Sequence, residues 1–483
     1  NGGAGHGTGR QAAATNSTSR IGILTVYAAR YDARHKGRAT KVVGTLRVPF
    51  LKRRVNTERH TECAYYFERH REGRVMRRVR VGNGCGFWGD SPDAPVRLAD
   101  RGRLDYLTLE YLAELTMSIL AVQRQKDPAA GFATDFPEVL ARLAPVMAAQ
   151  PTLKIITNAG GMNPHACAAK ARAVLPGRRI GVVSGDDLIP QLDALLAAGH
   201  GLNHLDHGAP LSTVRERVVS ANAYLGAAPI VEALKLGADV VVTGRVADAS
   251  LTVGPLVHEF GWSLGALDHL AAATVAGHLI ECGAQATGGL WVNAAADTGL
   301  ETVGYPIADV SADGTFTLTK PPGTGGVVNV ETVAEQLLYE VADPARYYTP
   351  DVVADFTTVH LKPAGPDEVA VSGGTSNGVT DTYKVSVSYR DGFTAAGTLV
   401  IAGPNAAAKA RHSGAVILDR LRQSGLTFAH SHVEALGAGD TTGVKEILEE
   451  YLSTNYAACS SYDPRNDIGF FLDRIHSVSF EQN

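Results

Sequence analysis

The chain has 483 residues, of which 45% are hydrophobic and 19% charged, so it can bury at least one large core. Its longest apolar runs have strand length, which excludes a membrane-spanning helix and predicts a soluble protein without membrane contact. The net charge is -4, but residues 1–76 carry 15 Lys and Arg against 5 Asp and Glu. Aromatic residues do not alternate with these basic residues as in single-strand binders, so we expect no nucleic-acid partner.

The basic segment 1–76 is interpreted as an N-terminal extension, either disordered or a targeting segment. The five cysteines are odd in number and show no CxxC spacing. This usage is typical of a reducing compartment and predicts no metal site. We therefore expect a cytoplasmic protein, or one of the mitochondrial matrix if the basic segment is a targeting signal.

The first predicted elements follow that segment in chain order. Residues 77–81 alternate as a strand does, and residues 82–90 form a turn that contains an aromatic pair. Apolar residues recur at three and four positions over 104–125, which predicts an amphipathic helix. A second helix is predicted over 136–149, capped at Asp135 with proline next to its start.

Strands then alternate with helices. The predicted strands are 153–157, 180–183 and 239–243, and the predicted helices are 166–174, 188–198 and 223–236. This order predicts βαβ units around a parallel sheet, an α/β core over 77–294. After about residue 300, as in 357–361 and 383–389, the pattern changes to period two, which predicts a second α+β region with antiparallel strands over 295–435. Residues 436–483 are interpreted as a C-terminal tail or the start of a further small domain.

Polar and glycine-rich loops follow several predicted strands and supply the candidate site residues. They are Asn83, Gly84, Phe87 and Asp90; Asn158, Gly160, Gly161 and Asn163; Arg245 and Asp248; and, in a later glycine-rich segment, Lys320 and Gly325. Open α/β sheets bind ligands at the carboxyl ends of their strands, so we expect the first three loops to converge on one cleft.

Each loop also has a purely structural interpretation. Gly84 opens a match to the dinucleotide fingerprint, but Asp90 and the residues after it interrupt the helix that this fingerprint requires. Asn163 before a proline fits a helix N-cap, and Arg245 with Asp248 fits an intrachain ion pair equally well. His204 and His207 lack a third ligand and are interpreted as a polar loop, not a metal site.

Five blocks resemble, in order, the AtuA family of acyclic terpene utilisation proteins. They are residues 82–90, 105–114, 157–164, 244–248 and 320–326, and the resemblance covers about 78–440. It implies a place beside acyl-CoA dehydrogenases, enoyl-CoA hydratases and biotin-dependent carboxylases in the degradation of acyclic terpenes. It implies no agreed reaction and no catalytic residues.

The resulting hypothesis is a lyase-like or hydratase-like enzyme for an acyl-CoA or related carboxylic acid in acyclic terpene or branched-chain acid catabolism. Asp90, Asn158 and Asp248 are the predicted catalytic residues, with Asp90 or Asp248 moving the proton. Asn83 and Asn158 are expected to orient a carbonyl, and the Gly160 and Gly161 amides to stabilise an enolate-like oxygen. The remaining roles are contacts to an anionic group by Arg245 and Lys320, and further substrate contacts by Gly84, Phe87, Asn163 and Gly325. No cofactor is predicted apart from acyl-CoA as the substrate.

Two alternatives stay open. The first is a non-catalytic acyl-CoA-binding partner of a biotin-dependent carboxylase or an acyl-CoA dehydrogenase, and the second is a dinucleotide-dependent oxidoreductase. A deep cleft that contains an acid with a perturbed pKa favours an enzyme, whereas a flat apolar patch favours the binding partner. In either case we expect a homo-oligomer.

Overall fold

The computed structural model describes residues 18–28, 77–293, 298–394, 397–401, 405–433 and 435. Residues Ile21–Asp391 form one compact unit, and Asn1–Arg20 with Gly392–Asn483 form another. Apart from one strand, the predicted extension 1–76 lies outside the described residues, and so does the predicted tail 436–483. Among the described helices, none is long and apolar enough to cross a membrane.

Strands and helices alternate along the first half of the larger unit, and strands predominate afterwards. The strands are β1 Thr18–Ala28, β2 Arg78–Asn83, β3 Tyr106–Leu109, β4 Lys154–Thr157, β5 Ile180–Val183, β6 Val218–Ala223, β7 Val240–Thr243, β8 Ile307–Ser311, β9 Phe316–Thr319, β10 Tyr347–Tyr348, β11 Val353–Asp355, β12 His360–Gly365, β13 Glu368–Ser372, β14 Thr375–Ser376 and β15 Tyr383–Thr394. The helices are α1 Ala94–Arg101, α2 Glu114–Lys126, α3 Phe136–Ala149, α4 Pro164–Val174, α5 Leu192–Ala197, α6 Ala228–Lys235, α7 Ser250–Phe260, α8 Leu267–Glu281, α9 Val330–Leu338 and, in the smaller unit, α10 Ala406–Gln423.

One nine-stranded sheet organises these elements, in the order β12-β13-β9-β8-β2-β3-β4-β7-β5. The five strands from β2 to β5 in this order are parallel, and the other four add in antiparallel fashion from β8 outwards. The predicted mixed α/β class with a parallel βαβ core is therefore confirmed. Strands β8, β9, β12 and β13 extend the same sheet, which crosses the predicted boundary at residue 294. Strands β10, β11 and β14 form a separate antiparallel sheet, and β15 pairs with β6.

Both faces of the sheet are covered. Ile156 and Val241 belong to one apolar cluster and their neighbours Ile155 and Val240 to another, because successive side chains of a strand point to opposite faces. Helices α7 and α8 pack on the first face, and every residue of α8 from Leu270 to Ile280 is buried. Such two-sided burial is typical of a parallel sheet and explains the uninterrupted Val and Ile runs of its strands.

The helix predicted over 104–125 is wrong in its first part. Residues Tyr106–Leu109 form β3, whose four side chains are all buried, and the helix begins only at Glu114. Leu107 pairs with Gly82 of β2 on one side and with Ile155 of β4 on the other. These distant pairings override a local spacing that fits a helix, because a fully buried strand shows no alternation.

Three further boundaries differ from prediction. The helix predicted over 223–236 begins at Ala228, since Val218–Ala223 is strand β6, paired with the distant β15. The helix predicted over 188–198 starts as a 3-10 turn, and α5 covers only Leu192–Ala197. The strand predicted over 357–361 begins only at His360, because Phe356–Thr358 form another 3-10 turn. Helix α3 has the predicted bounds, but Asp135 forms no capping hydrogen bond through its side chain.

Candidate active site

A cavity of about 790 Å³ opens at the carboxyl ends of the parallel strands β2, β3 and β7. The loop after β2 contributes Phe87 and Asp90, and the loop after β7 contributes Arg245 and Asp248. The end of helix α8 and residues 339–349, which follow α9, complete the wall. This is the edge at which open α/β sheets bind their ligands.

Arg245 is the central cation of the cavity wall and is only 2% exposed. Its Nη1 donates to Oδ1 of Asp248 at 2.6 Å and lies 3.9 Å from Oε1 of Glu110. Its guanidinium stacks over the Tyr224 ring, with Cζ 4.1 Å from the ring centroid. Burial of an arginine is costly unless charges and a ring compensate it, and here all three partners also line the cavity.

Glu110 directly follows β3 and is almost completely buried. Burial and the charge of Asp248 raise its pKa well above the ordinary value, although Arg245 and a hydrogen bond from Asn158 act in the opposite direction. Its Oε1 accepts from the backbone amide of Leu112 at 3.1 Å and from the Asn158 side chain. Its Oε2 has no hydrogen-bond partner among the described residues.

His278 and Glu281 form a second acid–base group at the end of α8. They are one helical turn apart, which brings Nδ1 of His278 to 2.9 Å from Oε1 of Glu281. Burial raises the pKa of Glu281 to about 7, with a further contribution from Asp248 and an opposing one from His278. Nε2 of His278 and Oε2 of Glu281 are buried and lack partners in the described structure.

Asp90 is held in the cavity wall by its own loop and by a distant tyrosine. Its Oδ1 accepts from the Tyr305 hydroxyl at 2.5 Å, and its Oδ2 accepts from the Gly86 amide at 2.9 Å. The hydrogen bonds fix the orientation of the carboxylate and occupy both of its oxygens.

A third charged group lies beside Arg245. Nζ of Lys384, on β15, is 3.3 Å from Oε1 of Glu114 and 4.7 Å from the centroid of the Tyr224 ring. The Tyr224 hydroxyl donates to the same Glu114 oxygen. Tyr224 therefore has two cations, Arg245 and Lys384, against its ring and a carboxylate at its hydroxyl.

Of the predicted site residues, four line the cavity: Phe87, Asp90, Arg245 and Asp248. Asn158 lies behind the wall, fully buried, where its Oδ1 accepts from the Tyr111 amide at 2.7 Å and its Nδ2 donates to Glu110. Asn83 is also behind the wall, and its Nδ2 donates to the carbonyls of Cys85, Ile280 and Glu281 at 2.8–2.9 Å. Both asparagines hold cavity residues in place and do not face the cavity.

The other predicted residues have structural roles away from the cavity. Oδ1 of Asn163 caps α4, and Lys320 pairs with Asp367 at 2.9 Å. A side chain at Gly160 would collide with the Thr243 carbonyl, and one at Gly325 with the Gly299 carbonyl. Gly161 adopts a φ of 47° and makes a close approach to Leu120.

The glycines of the dinucleotide-like motif are used for chain packing. A Cβ at Gly84 would lie 2.7 Å from Cα of Pro95, and one at Gly86 would lie 2.7 Å from the carbonyl carbon of Cys282. Helix α1 begins only at Ala94, well after Gly89, so no helix N-terminus follows the glycines directly. This packing argues against a dinucleotide at the loop.

Sequence reasoning missed Glu110, His278 and Glu281 as site residues. Glu110 was assigned to a helix, and only the recognition of β3 would have placed it at the carboxyl edge of the sheet. The partner of His278 is Glu281, at the i,i+3 spacing of one helix face, and nothing else in the sequence marks this pair as part of a site. No group of three or more His, Cys, Asp or Glu side chains in the described part is arranged to hold a metal ion, and His204 stacks on His207.

Comparison with known families adds one result. The model of the acyclic terpene utilisation family protein AtuA matches residues 79–465. No curated protein and no solved structure matches the sequence. The match covers most of the chain, which therefore belongs to the AtuA family.

Proposed function

We propose that this member of the acyclic terpene utilisation family adds water to, or removes water from, a branched acyl-CoA or related carboxylic acid. One observation carries the proposal: the buried His278–Glu281 pair and the Glu110–Arg245–Asp248 group line the same cavity. Perturbed acids gathered in a deep cleft are typical of acid–base catalysis.

Unpartnered polar atoms support a bound ligand at this place. Glu110, Arg245, His278 and Glu281 each have one buried side-chain nitrogen or oxygen without a hydrogen-bond partner among the described residues. Folded proteins rarely leave buried polar atoms unpaired, because each costs about 1–3 kcal/mol. These atoms are closed off from solvent, so a substrate group or a water molecule would satisfy them only after neighbouring side chains shift.

The proposed chemistry needs two proton transfers. In hydration, a base accepts a proton from water as its oxygen bonds to the β-carbon, and an acid returns a proton to the α-carbon as the double bond is lost. The His278–Glu281 pair and Asp248 supply two such groups. The guanidinium of Arg245, which lines the cavity, would stabilise the negative charge that develops on the carbonyl oxygen.

The same geometry favours an enzyme over a non-catalytic binding partner. A protein that only presents an acyl-CoA needs an apolar surface and no buried carboxylates with raised pKa values. Glu110 and Glu281 both have such values, and keeping them there costs folding stability. Such a cost is typical of functional sites.

The first test is a thermal-shift screen of the full chain against CoA, short branched acyl-CoAs, geranyl-CoA, NAD, NADP, FAD and divalent metals. A ligand that binds only the folded state raises the melting temperature with its occupancy. We expect shifts with acyl-CoAs. A shift with a dinucleotide alone would contradict the proposal and favour an oxidoreductase.

The second test is turnover. With a binding acyl-CoA in deuterated water, mass spectrometry should show water addition with deuterium at the α-carbon. Glu281→Gln and Asp248→Asn should each lower the rate by about 100-fold or more. Glu216→Gln, an exposed glutamate outside the cavity, is the control and should keep the rate. Full activity in both cavity variants would refute the assigned roles.

A further inference from the structure

The cavity has an excess of acidic side chains. Its lining contains seven Asp and Glu residues against two arginines, one lysine and one histidine. Even if the two buried carboxyls with raised pKa values, Glu110 and Glu281, are protonated and His278 is charged, five carboxylates remain against four cations.

The cations inside the cavity are already engaged. Arg245 pairs with Asp248, and Lys384 pairs with Glu114. The third, Arg346, stacks over Tyr348 at the rim, where Glu340 and Asp343 are also exposed. A phosphate group bound inside the cavity would have to displace the carboxylate partners of Arg245 and Lys384 and would meet uncompensated carboxylates.

The backbone conformation of Glu340 is a second observation that points to a function for the cavity rim. It adopts a φ of 58°, in the left-handed region that favours glycine, asparagine and aspartate over glutamate. Such a conformation costs free energy, and it places an acidic residue at the mouth.

From these charges we infer that the part of the substrate that enters the cavity is uncharged. It would be a branched acyl group with its thioester, whereas the phosphates of CoA remain outside and contribute little to affinity. A free carboxylate is disfavoured for the same reason. This inference rests on the proposed function and narrows its substrate class from acyl-CoA or carboxylic acid to the acyl thioester.

The experiment compares three forms of one branched acyl group by titration calorimetry with the full chain: the CoA thioester, the N-acetylcysteamine thioester and the free acid. At low salt and slightly alkaline pH we expect the two thioesters to have dissociation constants within about threefold of each other. The free acid should bind at least about tenfold more weakly.

A variant in which two carboxylates of the rim are neutralised provides a second test. In Glu340→Gln with Asp343→Asn, the CoA thioester should gain about two- to fivefold in affinity relative to the N-acetylcysteamine thioester at low salt. The gain should disappear at high salt. The control, Glu216→Gln with Asp100→Asn, removes two exposed carboxylates that do not line the cavity and should leave the ratio unchanged.

The outcomes separate this inference from the proposed function. A CoA thioester that binds more than about tenfold tighter than the N-acetylcysteamine thioester, with free CoA as a competitor, would overturn the inference and leave the proposed function standing. Equal binding of the free acid would also overturn it. Failure of all three forms to bind would refute the proposed function, and the inference with it.

Discussion

At the scale of single residues, the site depends on buried polar groups that hold one another. Asn158 bridges the Tyr111 amide and the Glu110 carboxylate and is completely buried. Asn163, five positions along the same loop, caps α4 and donates to two backbone carbonyls. The sequence predicts both as site residues of one loop. In the structure, Asn158 orients Glu110, whereas Asn163 caps a helix.

Asn158→Ala should therefore destabilise the protein more than Asn163→Ala. The first substitution leaves the buried Tyr111 amide without an acceptor and removes a donor from Glu110, at a cost of about 1–3 kcal/mol or more. The second removes an N-cap, which costs about 1 kcal/mol. Urea unfolding gives both values. Equal free energies of unfolding for the two variants would show that Asn158 has no special role.

The titration of Glu281 gives a pH-dependent stability. Burial raises the pKa of Glu281 to about 7 from its ordinary 4.5, so the folded state holds this proton more tightly than the unfolded chain does. Burial alone would lower the pKa of His278, but Glu281 raises it, and its net direction is also upward. Both groups therefore contribute stability that is present at acid pH and lost as pH rises through the folded pKa values.

We expect the free energy of unfolding to fall as pH rises from about 4.5 to about 7, and Glu281→Gln to remove much of this fall. Urea unfolding of wild type and variant at a series of pH values measures the difference directly. Glu331→Gln, which changes an exposed carboxylate outside the cavity, should retain the wild-type pH dependence. Identical pH profiles for wild type and Glu281→Gln would contradict the assignment.

At the scale of elements, helix α8 carries the acid–base pair and is positioned by close packing. Gly277 lies next to His278 and faces Ala249, the residue before α7: an added Cβ would lie 2.7 Å from the Ala249 carbonyl oxygen and 2.8 Å from its Cα. Asn83 holds the other side of the helix end through the carbonyls of Ile280 and Glu281. The end of α8 therefore has little freedom to shift.

Gly277→Ala should cost about 1–3 kcal/mol in stability through overpacking and should displace His278 and Glu281 as well. The control is Gly265→Ala, in the loop before α8, where the added Cβ would make only ordinary contact with Ser263. Thermal unfolding and acyl-CoA affinity are the two measurements. A Gly277→Ala variant with wild-type stability and affinity would show that the helix end can shift freely.

Some elements follow from the sequence and others depend on distant partners. Helix α3 has its predicted bounds, because its apolar spacing and the proline near its start are local signals. Strand β3 could not be recognised in the sequence, because a short, fully buried strand shows no alternation of polar and apolar residues. Its pairing partners β2 and β4 are also distant in sequence. For the same reason, Glu110 was not predicted as a site residue. The Arg245 and Asp248 loop was found, because β7 is a clear Val run that ends in it.

At the scale of the whole molecule, the sheet joins regions that the sequence separates. Strand β2 pairs in parallel with β3 and in antiparallel fashion with β8, and Asp309 of β8 forms ion pairs with Arg78 and Arg80 of β2. Residues of both halves, such as Ile156 and Leu318, belong to one apolar cluster. The period-two pattern after residue 300 predicted antiparallel strands, but it did not show that β12 joins the large sheet whereas β15 pairs with β6.

This shared core predicts one cooperative folding unit across residue 294. Leu318 of β9 is fully buried, so Leu318→Ala should lower the free energy of unfolding by about 2–5 kcal/mol. If the two regions unfold as one unit, this loss lowers the protection of every slowly exchanging amide by the same amount. Native-state hydrogen exchange should thus show the amides of β4, in the parallel part, losing as much protection as those of β8 and β9. The reciprocal variant Ile155→Ala, on β4, should weaken β8 and β9 in the same way. If each substitution lowered protection only on its own side of residue 294, the two regions would fold independently in spite of the continuous sheet, and the domain division expected from the sequence would hold.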